Sequence, residues 1–351
     1  MRNFKIKKTN GILFETFILM VSVEFWLLPF YCAIMSTLRP VSPRFAYLLL
    51  VLTMLLWSTN FVIARAIHGQ IGPFGLAFGR WAIALVCLMP FGLPRLARTW
   101  PALRQQWRKL LLLGVFGIGL TNTLVYMALR STTATNAVIL NSATPMMVLV
   151  LGSLYFRQRL SHRQWAGMSM AMLGALLIVL KGNLTDMVHF QFNHGDVLVL
   201  AGGLCWAVYT LVLRSLLPGL DPLVMMMVLL LVGETLLLPA FVQETWQRGG
   251  FHLLSVPTMA WLLYLGIFPS VLAFLMYNRA IAVVGAVKAA GFLYLMPAFG
   301  ALLSIGLLGE DLHWFHVAGL AAIFSGIVAS SLGVRAGDSS RGRQALPMAV
   351  E

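Results

Sequence analysis

Charge is what this sequence has least of. Only 10% of its 351 residues are Asp, Glu, Lys or Arg, while 60% are hydrophobic; a water-soluble domain carries about 25% charged residues. So apolar a chain cannot cover a soluble core, and the solvent for most of it is lipid. Cysteine is scarce as well. Cys32, Cys87 and Cys205 stand alone in apolar stretches, a spacing that speaks against a disulfide framework or a cysteine metal site. The chain has no G-x-x-x-x-G-K loop, so it carries no phosphate loop for ATP. No apolar stretch holds a His-Glu-x-x-His, a Ser/His pair or an Asp pair, and none of the seven histidines lies deep in one. The catalytic set of a membrane-embedded enzyme is missing, and no cofactor is expected.

What is present is a series of apolar runs, each long enough to cross a bilayer with about 20 residues. They fall at 46–66, 73–93, 109–129, 133–156 and 165–181, then at 197–217, 222–242, 258–280, 284–308 and 313–333. The pattern predicts an all-α membrane protein of ten transmembrane helices. Its longest connection, Lys181 to Gly195, carries Asp186, His189 and His194 without a recognisable metal-ligand spacing and reads as a solvated loop.

The runs repeat. Trp57, Arg65 and Pro73 recur 149 residues later as Trp206, Arg214 and Pro222. Ala128, Pro145, Leu160, Gly167 and Gly174 recur at a spacing of 152 as Ala280, Pro297, Leu312, Gly319 and Gly326. The organisation this implies is an N-terminal tail (1–45), a first five-helix repeat (46–181), an external linker (182–196), a second five-helix repeat (197–333) and a cytoplasmic tail (334–351).

The net charge of +14 lies mostly in the short connections, where it reports orientation rather than a nucleic-acid partner. With the segment before the first span inside, the inner side holds Arg39, Arg44, Arg95, Arg98, Arg104, Arg108, Lys109, Arg157, Arg159, Arg163, Arg214, Arg279, Lys288, Arg335, Arg341 and Arg343. The outer side holds only Arg65, Arg130, Lys181 and Arg248. Both termini are therefore expected in the cytoplasm. Because five is odd, the second repeat must be inverted relative to the first, about an axis in the membrane plane.

Residues 1–34 fit poorly. Lys5, Lys7 and Lys8 are three of only six lysines, and an eleventh helix over Gly11 to Met35 would flip every later loop against the charge bias. Translation from Met35 is the reading that keeps the bias, which makes 1–34 an over-long reading frame.

The helices "LLWSTNFVIARA" and "LCWAVYTLVLR" and the segments "SATPMMVLVLGSLYF" and "YLMPAFGALLSIGLLGEDL" resemble the drug/metabolite transporter superfamily, and within it the ten-helix EamA-type exporters. The resemblance runs from Tyr47 to Leu332. It implies an inverted-repeat carrier with a central cavity that exports amino acids or related small metabolites. One pattern departs. The family often closes the fourth and ninth helices with Gly-Glu; Gly309 and Glu310 keep it, whereas Arg157 and Gln158 replace it in the first half. The reversal follows the membrane, since positive charge belongs inside.

Candidate solute contacts are the polar and aromatic residues within spans, each of which must be satisfied without water. They are Trp57, Asn60, Arg80, Asn122, Asn136, Asn141, Thr144, Trp206, Tyr209, Tyr264, Tyr277 and Tyr294. For any one of them, hydrogen bonding between helices is an equally good reading. Pro145 and Pro297 join the set, because a proline inside a helix frees the carbonyl four residues earlier, here Asn141 and Leu293. Such a carbonyl is an acceptor for a substrate ammonium group, and Pro269 would free Leu265 in the same way. Glu234 is the proton-coupling candidate; it can equally be a static partner of Arg80 or lie near the outer headgroups. Lys288 matches Asn136 in the repeat and could draw in an anionic group or snorkel to the interface. Gly167, Gly174, Gly319 and Gly326 are expected to be packing surfaces.

The expected protein is a secondary transporter of the inner membrane working by alternating access. Its partners are a small-molecule substrate and the bilayer, as a monomer or homodimer. The alternative is a carrier for drugs or toxic compounds.

Overall fold

A computed structural model describes residues 42–67, 71–128, 131–132, 137, 140–156, 160–183, 193–216, 219–249, 256–308 and 313–332. Asn136, Arg157, Gln158, Gly309, Glu310, residues 1–41 of the N-terminal tail and the whole C-terminal tail lie outside the described residues. Every described element is helical. In chain order these are α1 Pro43–Ile67, α2 Pro73–Leu113, a π-helical segment Gly114–Leu120, α3 Thr121–Ala128, α4 Thr144–Tyr155, α5 His162–Val179, α6 His194–Arg214 and α7 Pro222–Gln247. Then come α8 Val256–Leu265, a second π-helical segment Gly266–Leu272, α9 Ala273–Val284, α10 Ala286–Gly291, a 3-10 turn Phe292–Tyr294, α11 Leu295–Leu308 and α12 Trp314–Leu332. Among the described residues, five helical segments are long and apolar enough to cross a membrane. The one from Pro73 to Val125, 53 residues, is long enough for two crossings at about 1.5 Å per residue.

Two features depart from the ten-run pattern. Residues 94–105, read as a connection, continue the helix that starts at Pro73; Gln106 leaves helical geometry (φ −113°, ψ 15°), and at that kink a second helix begins that runs to Leu113. Between Gly92 and Gly114 there is no glycine, and Leu, Ala, Arg, Gln and Lys dominate, so local propensity carries the helix through Pro94 and Pro101. The run 284–308, by contrast, is broken. Gly285 turns the chain with φ +90°, which glycine adopts without a Cβ clash, and the 3-10 turn separates α10 from α11.

The termini show how the helices start. Ser161 with Gln164 and Asn193 with Asp196 form capping boxes for α5 and α6. The Thr132 hydroxyl also donates to Asp196, tying that cap to the chain just beyond α3. Asp221 caps α7 by accepting from the Leu223 and Val224 amides at 2.9 and 3.4 Å. Gly72 has no side chain to cap α2; there the Glu244 carboxylate of α7 accepts from the Gly75 amide at 2.8 Å.

The two halves touch in reciprocal pairs. Gly114 meets Val232 and the Leu229 carbonyl, whereas Gly266, 152 residues on, meets Ile83 and the Arg80 carbonyl. α1 packs on α9 and α11, while α6 packs on α3 and α4. α5 and α12 cross at their glycines, Gly167 against Gly326 and Gly174 against Gly319, so the two helices run antiparallel. A Cβ on any of the four would lie 2.4–2.7 Å from atoms of the facing helix. Lipid supplies no hydrophobic drive between helices, so such close contact is what holds this pair.

Candidate functional site

The centre of the bundle is aromatic. α1 and α6 bring Trp57 and Trp206 edge to face, ring centres 5.1 Å apart at 83°. Phe274 of α9 stands edge-on to Trp57, Trp81 and Trp206 at 5.5, 5.2 and 5.7 Å. Tyr277 lies 5.0 Å from Trp57 and 5.4 Å from Trp206, and Tyr209 stacks on Trp206 at 5.0 Å. Trp81 and Phe274 were not among the sequence candidates. Trp81's neighbour Arg80 was, and Phe274 lies one turn before Tyr277; that adjacency was the available sign.

Polar groups border the nest on two sides. Arg80 donates through Nη1 to the Asn60 side-chain oxygen at 3.0 Å, and its guanidinium lies 4.2 Å from the Trp81 ring centre. At the position equivalent to Asn60 stands Tyr209, whose hydroxyl donates to Asn278 Oδ1 at 2.7 Å. The amide nitrogen of Asn278 is buried without a hydrogen-bond partner. Trp57 Nε1 donates to the Pro269 carbonyl at 3.0 Å, whereas Trp206 Nε1 makes no such bond. The difference has a steric reason. A Cβ on Gly117, the counterpart of Pro269, would lie 2.2 Å from the Tyr209 ring, so that ring covers the backbone Trp206 would have to reach.

The prolines behave differently from interior kinks. Pro145 and Pro297 both fall in the first turn of a helix, α4 and α11, where a missing N–H costs nothing. Thr144 donates to Asn141 Oδ1 at 3.2 Å just ahead of that start. Pro269 lies inside the second π segment, and the Leu265 carbonyl expected to be free accepts from the Ser270 hydroxyl at 2.7 Å. The first π segment is closed in the same manner, by Thr121 donating to the Phe116 carbonyl at 2.6 Å.

Of the remaining candidates, Tyr264 shares a 3.0 Å hydrogen bond with Thr59. Tyr294 is buried in the 3-10 turn with its hydroxyl unbonded. Asn122 is half-buried on α3, and Lys288 half-buried on α10. Both Glu234 carboxylate oxygens are buried with no hydrogen-bond partner, so Arg80 is not its static partner. Among the described residues no group of His, Cys, Asp and Glu could hold a metal ion.

The fold and its centre define a class: a multi-pass helical membrane protein with duplicated halves meeting at paired tryptophans. The profile of the EamA-like transporter family matches residues 44–180 and again 193–332, and the chain belongs to that family of the drug/metabolite transporter superfamily, whose members transport solutes rather than catalyse reactions. It is 30% identical over 281 residues to an uncharacterized transporter of Archaeoglobus fulgidus, covering 80% of this chain and 95% of that one. A probable terminal-alkyne amino-acid exporter of Streptantibioticus cattleyicolor is 26% identical (84% and 97% covered). A probable amino-acid metabolite efflux pump of Salmonella typhimurium is 23% identical (84% and 97%). One crystal structure of a protein superposes with TM-score 0.67 at 20% identity, covering 82% of this chain and 97% of that chain.

Proposed function

We propose that the protein is an inner-membrane secondary transporter that exports amino acids or related small metabolites by alternating access. In this reading ten spans form two five-helix repeats, 46–181 and 197–333, inverted about an axis through the Trp57–Trp206 contact. Both termini are cytoplasmic. Inversion is supported by the antiparallel course of α5 and α12, which occupy equivalent places in the two repeats. The axis is supported by equivalent tryptophans touching each other. Reciprocal contacts of this kind let the halves exchange conformations, opening one central site first inward and then outward.

The observation that carries the reading is the pairing of aromatic faces with amide, hydroxyl and guanidinium groups at that centre. Arg80 with Asn60 can meet a carboxylate, and the rings can lie against an apolar or cationic side chain. Such a set suits a zwitterion better than a multiply charged sugar nucleotide. The names of the two relatives with stated substrates agree with amino-acid cargo. Glu234 is the proposed proton carrier, a carboxylate in a span with neither oxygen bonded.

Radiolabelled efflux from cells or proteoliposomes tests the proposal, with a growth-protection screen over toxic amino acids, analogues and drugs to find the cargo. The expected result is protection against amino-acid analogues that is lost in Arg80→Gln. Protection confined to lipophilic drugs would favour the drug-efflux alternative. Glu234→Gln should leave solute exchange intact while abolishing pH-driven efflux; unchanged pH-driven efflux would remove it as the coupling group.

A further inference from the structure

α2 is longer than one crossing needs. At about 1.5 Å per residue, residues 73–93 already extend about 30 Å, the hydrocarbon thickness, and the helix runs on to a kink at Gln106, where a second helix begins. The surplus, residues 94–109, therefore lies beyond the hydrocarbon, on the cytoplasmic side in the orientation proposed above. It carries Arg95, Arg98, Arg104, Arg108 and Lys109 and no acid, and no Asp or Glu occurs anywhere between Glu24 and Asp186. Two of the five cations are engaged within the protein. Arg95 pairs with Asp221 at 3.8 Å, and Lys109 donates to the Ser215 carbonyl at 2.6 Å. Arg98, Arg104 and Arg108 are exposed and face no carboxylate among the described residues.

The same stretch exposes two tryptophans, Trp100 at 59% and Trp107 at 55%. Trp100 and Arg104 before the Gln106 kink and Trp107, Arg108 and Leu111 after it are all exposed, while Thr99, Leu103, Gln106 and Leu110 are buried. The Arg108 guanidinium lies 5.4 Å from the Trp107 ring centre. Exposed indoles beside uncompensated guanidinium groups are badly matched to water and to hydrocarbon alike. They fit the headgroup layer, where indole rings settle and a guanidinium fork meets phosphate oxygens in pairs.

We propose that residues 94–109 form a ledge that binds anionic phospholipid headgroups. Arg104 and Arg108, with Arg98 to one side, hold the phosphates, and Trp100 and Trp107 fix the depth. The occupant is anionic rather than zwitterionic because three cations on this face have no counter-charge among the described residues. The inference takes its leaflet from the orientation proposed above, but not its chemistry.

The test is lipid retention by the detergent-purified full chain, read by native mass spectrometry during titration with phosphatidylglycerol or phosphatidylcholine. The wild type should retain phosphatidylglycerol preferentially. In R98Q/R104Q/R108Q that preference should fall by about fivefold per arginine removed. The triple Lys variant should keep most of it, and an unchanged melting temperature should show that all three proteins are folded. Equal retention of both lipids by the wild type, or an unchanged preference in the Gln variant, would overturn the ledge. So would displacement by inorganic phosphate at matched concentration, which would make it a site for a soluble anion. Retention needs no transported solute, so failed efflux and failed lipid binding are separate results.

Discussion

The two ends of the α2–α7 pair solve one problem with different residues. At one end the N-terminus of α7 is closed by Asp221, which Arg95 of α2 approaches at 3.8 Å. At the other, the N-terminus of α2 is closed by Glu244 of α7. The positions correspond: Gly72 and Asp221 are 149 residues apart, and so are Arg95 and Glu244. The duplicated halves have therefore kept a carboxylate at each helix N-terminus, where unsatisfied amides and the helix dipole favour it, while moving it from the capped helix to its neighbour. The acid-free stretch from Glu24 to Asp186 gives the reason, since a first half without carboxylates must borrow one from the second. The surroundings differ too: Glu244 is 7% exposed, whereas the side chains of Arg95 and Asp221 are 38% and 30% exposed.

Removing the borrowed carboxylate should have the largest effect. Glu244→Ala leaves the part-buried Gly75 amide at the start of α2 without its acceptor, at a cost of about 1–3 kcal/mol. Thermal unfolding in detergent would register this as a clearly lowered midpoint. A variant as stable as the wild type would mean that Glu244 is incidental to the helix start.

A transplant sharpens the comparison. In the wild type a Cβ on Gly72 would lie 2.3 Å from the Glu244 carboxyl group, so Gly72→Asp alone should destabilise. Combined with Glu244→Ala it recreates the arrangement of the other end, and Gly72 already has the extended geometry of an ordinary N-cap (φ −73°, ψ 162°). The double variant should recover most of the loss seen with Glu244→Ala; a loss that simply adds would deny the equivalence of the two ends. Asp221→Ala should cost about 1 kcal/mol, less than Glu244→Ala because its site is half open to solvent.

How much of this was legible beforehand depends on distance along the chain. The repeat, the helical class and the packing role of the glycines were legible, because Gly167, Gly174, Gly319 and Gly326 recur at fixed spacing among large apolar residues; that α5 and α12 pack on each other was not. Trp57 and Trp206 were legible as counterparts but not as a contact, since equivalent residues touch only where both lie near the axis relating the halves. Glu244 was not: its bond to Gly75 spans 169 positions, and no local pattern marks a carboxylate that caps another helix. Phe274 and Trp81 were hidden because one apolar residue among many carries no mark of facing the centre. Pro145 and Pro297 were seen, but their geometry was not, since a proline can kink a helix or begin one and only the preceding turn decides. The Leu265 carbonyl was misjudged for a related reason. Its acceptance of the Ser270 hydroxyl depends on the wider winding of the π segment, which the residue types do not announce.

The smallest effect belongs to Arg95. Its ion pair with Asp221 is long, at 3.8 Å, and open to water on both partners, so Arg95→Ala should cost less than about 0.5 kcal/mol. What remains of that cost should vanish as salt is raised, because screened surface charges contribute little. The Glu244 contact should be nearly indifferent to salt, being buried and aimed at backbone amides rather than at a mobile side chain. Melting curves of Arg95→Ala and Glu244→Ala at low and high ionic strength place both on one scale. If the Arg95 loss equalled the Glu244 loss and persisted in high salt, the ion pair would be a true fastening. The two ends would then differ in chemistry but not in strength.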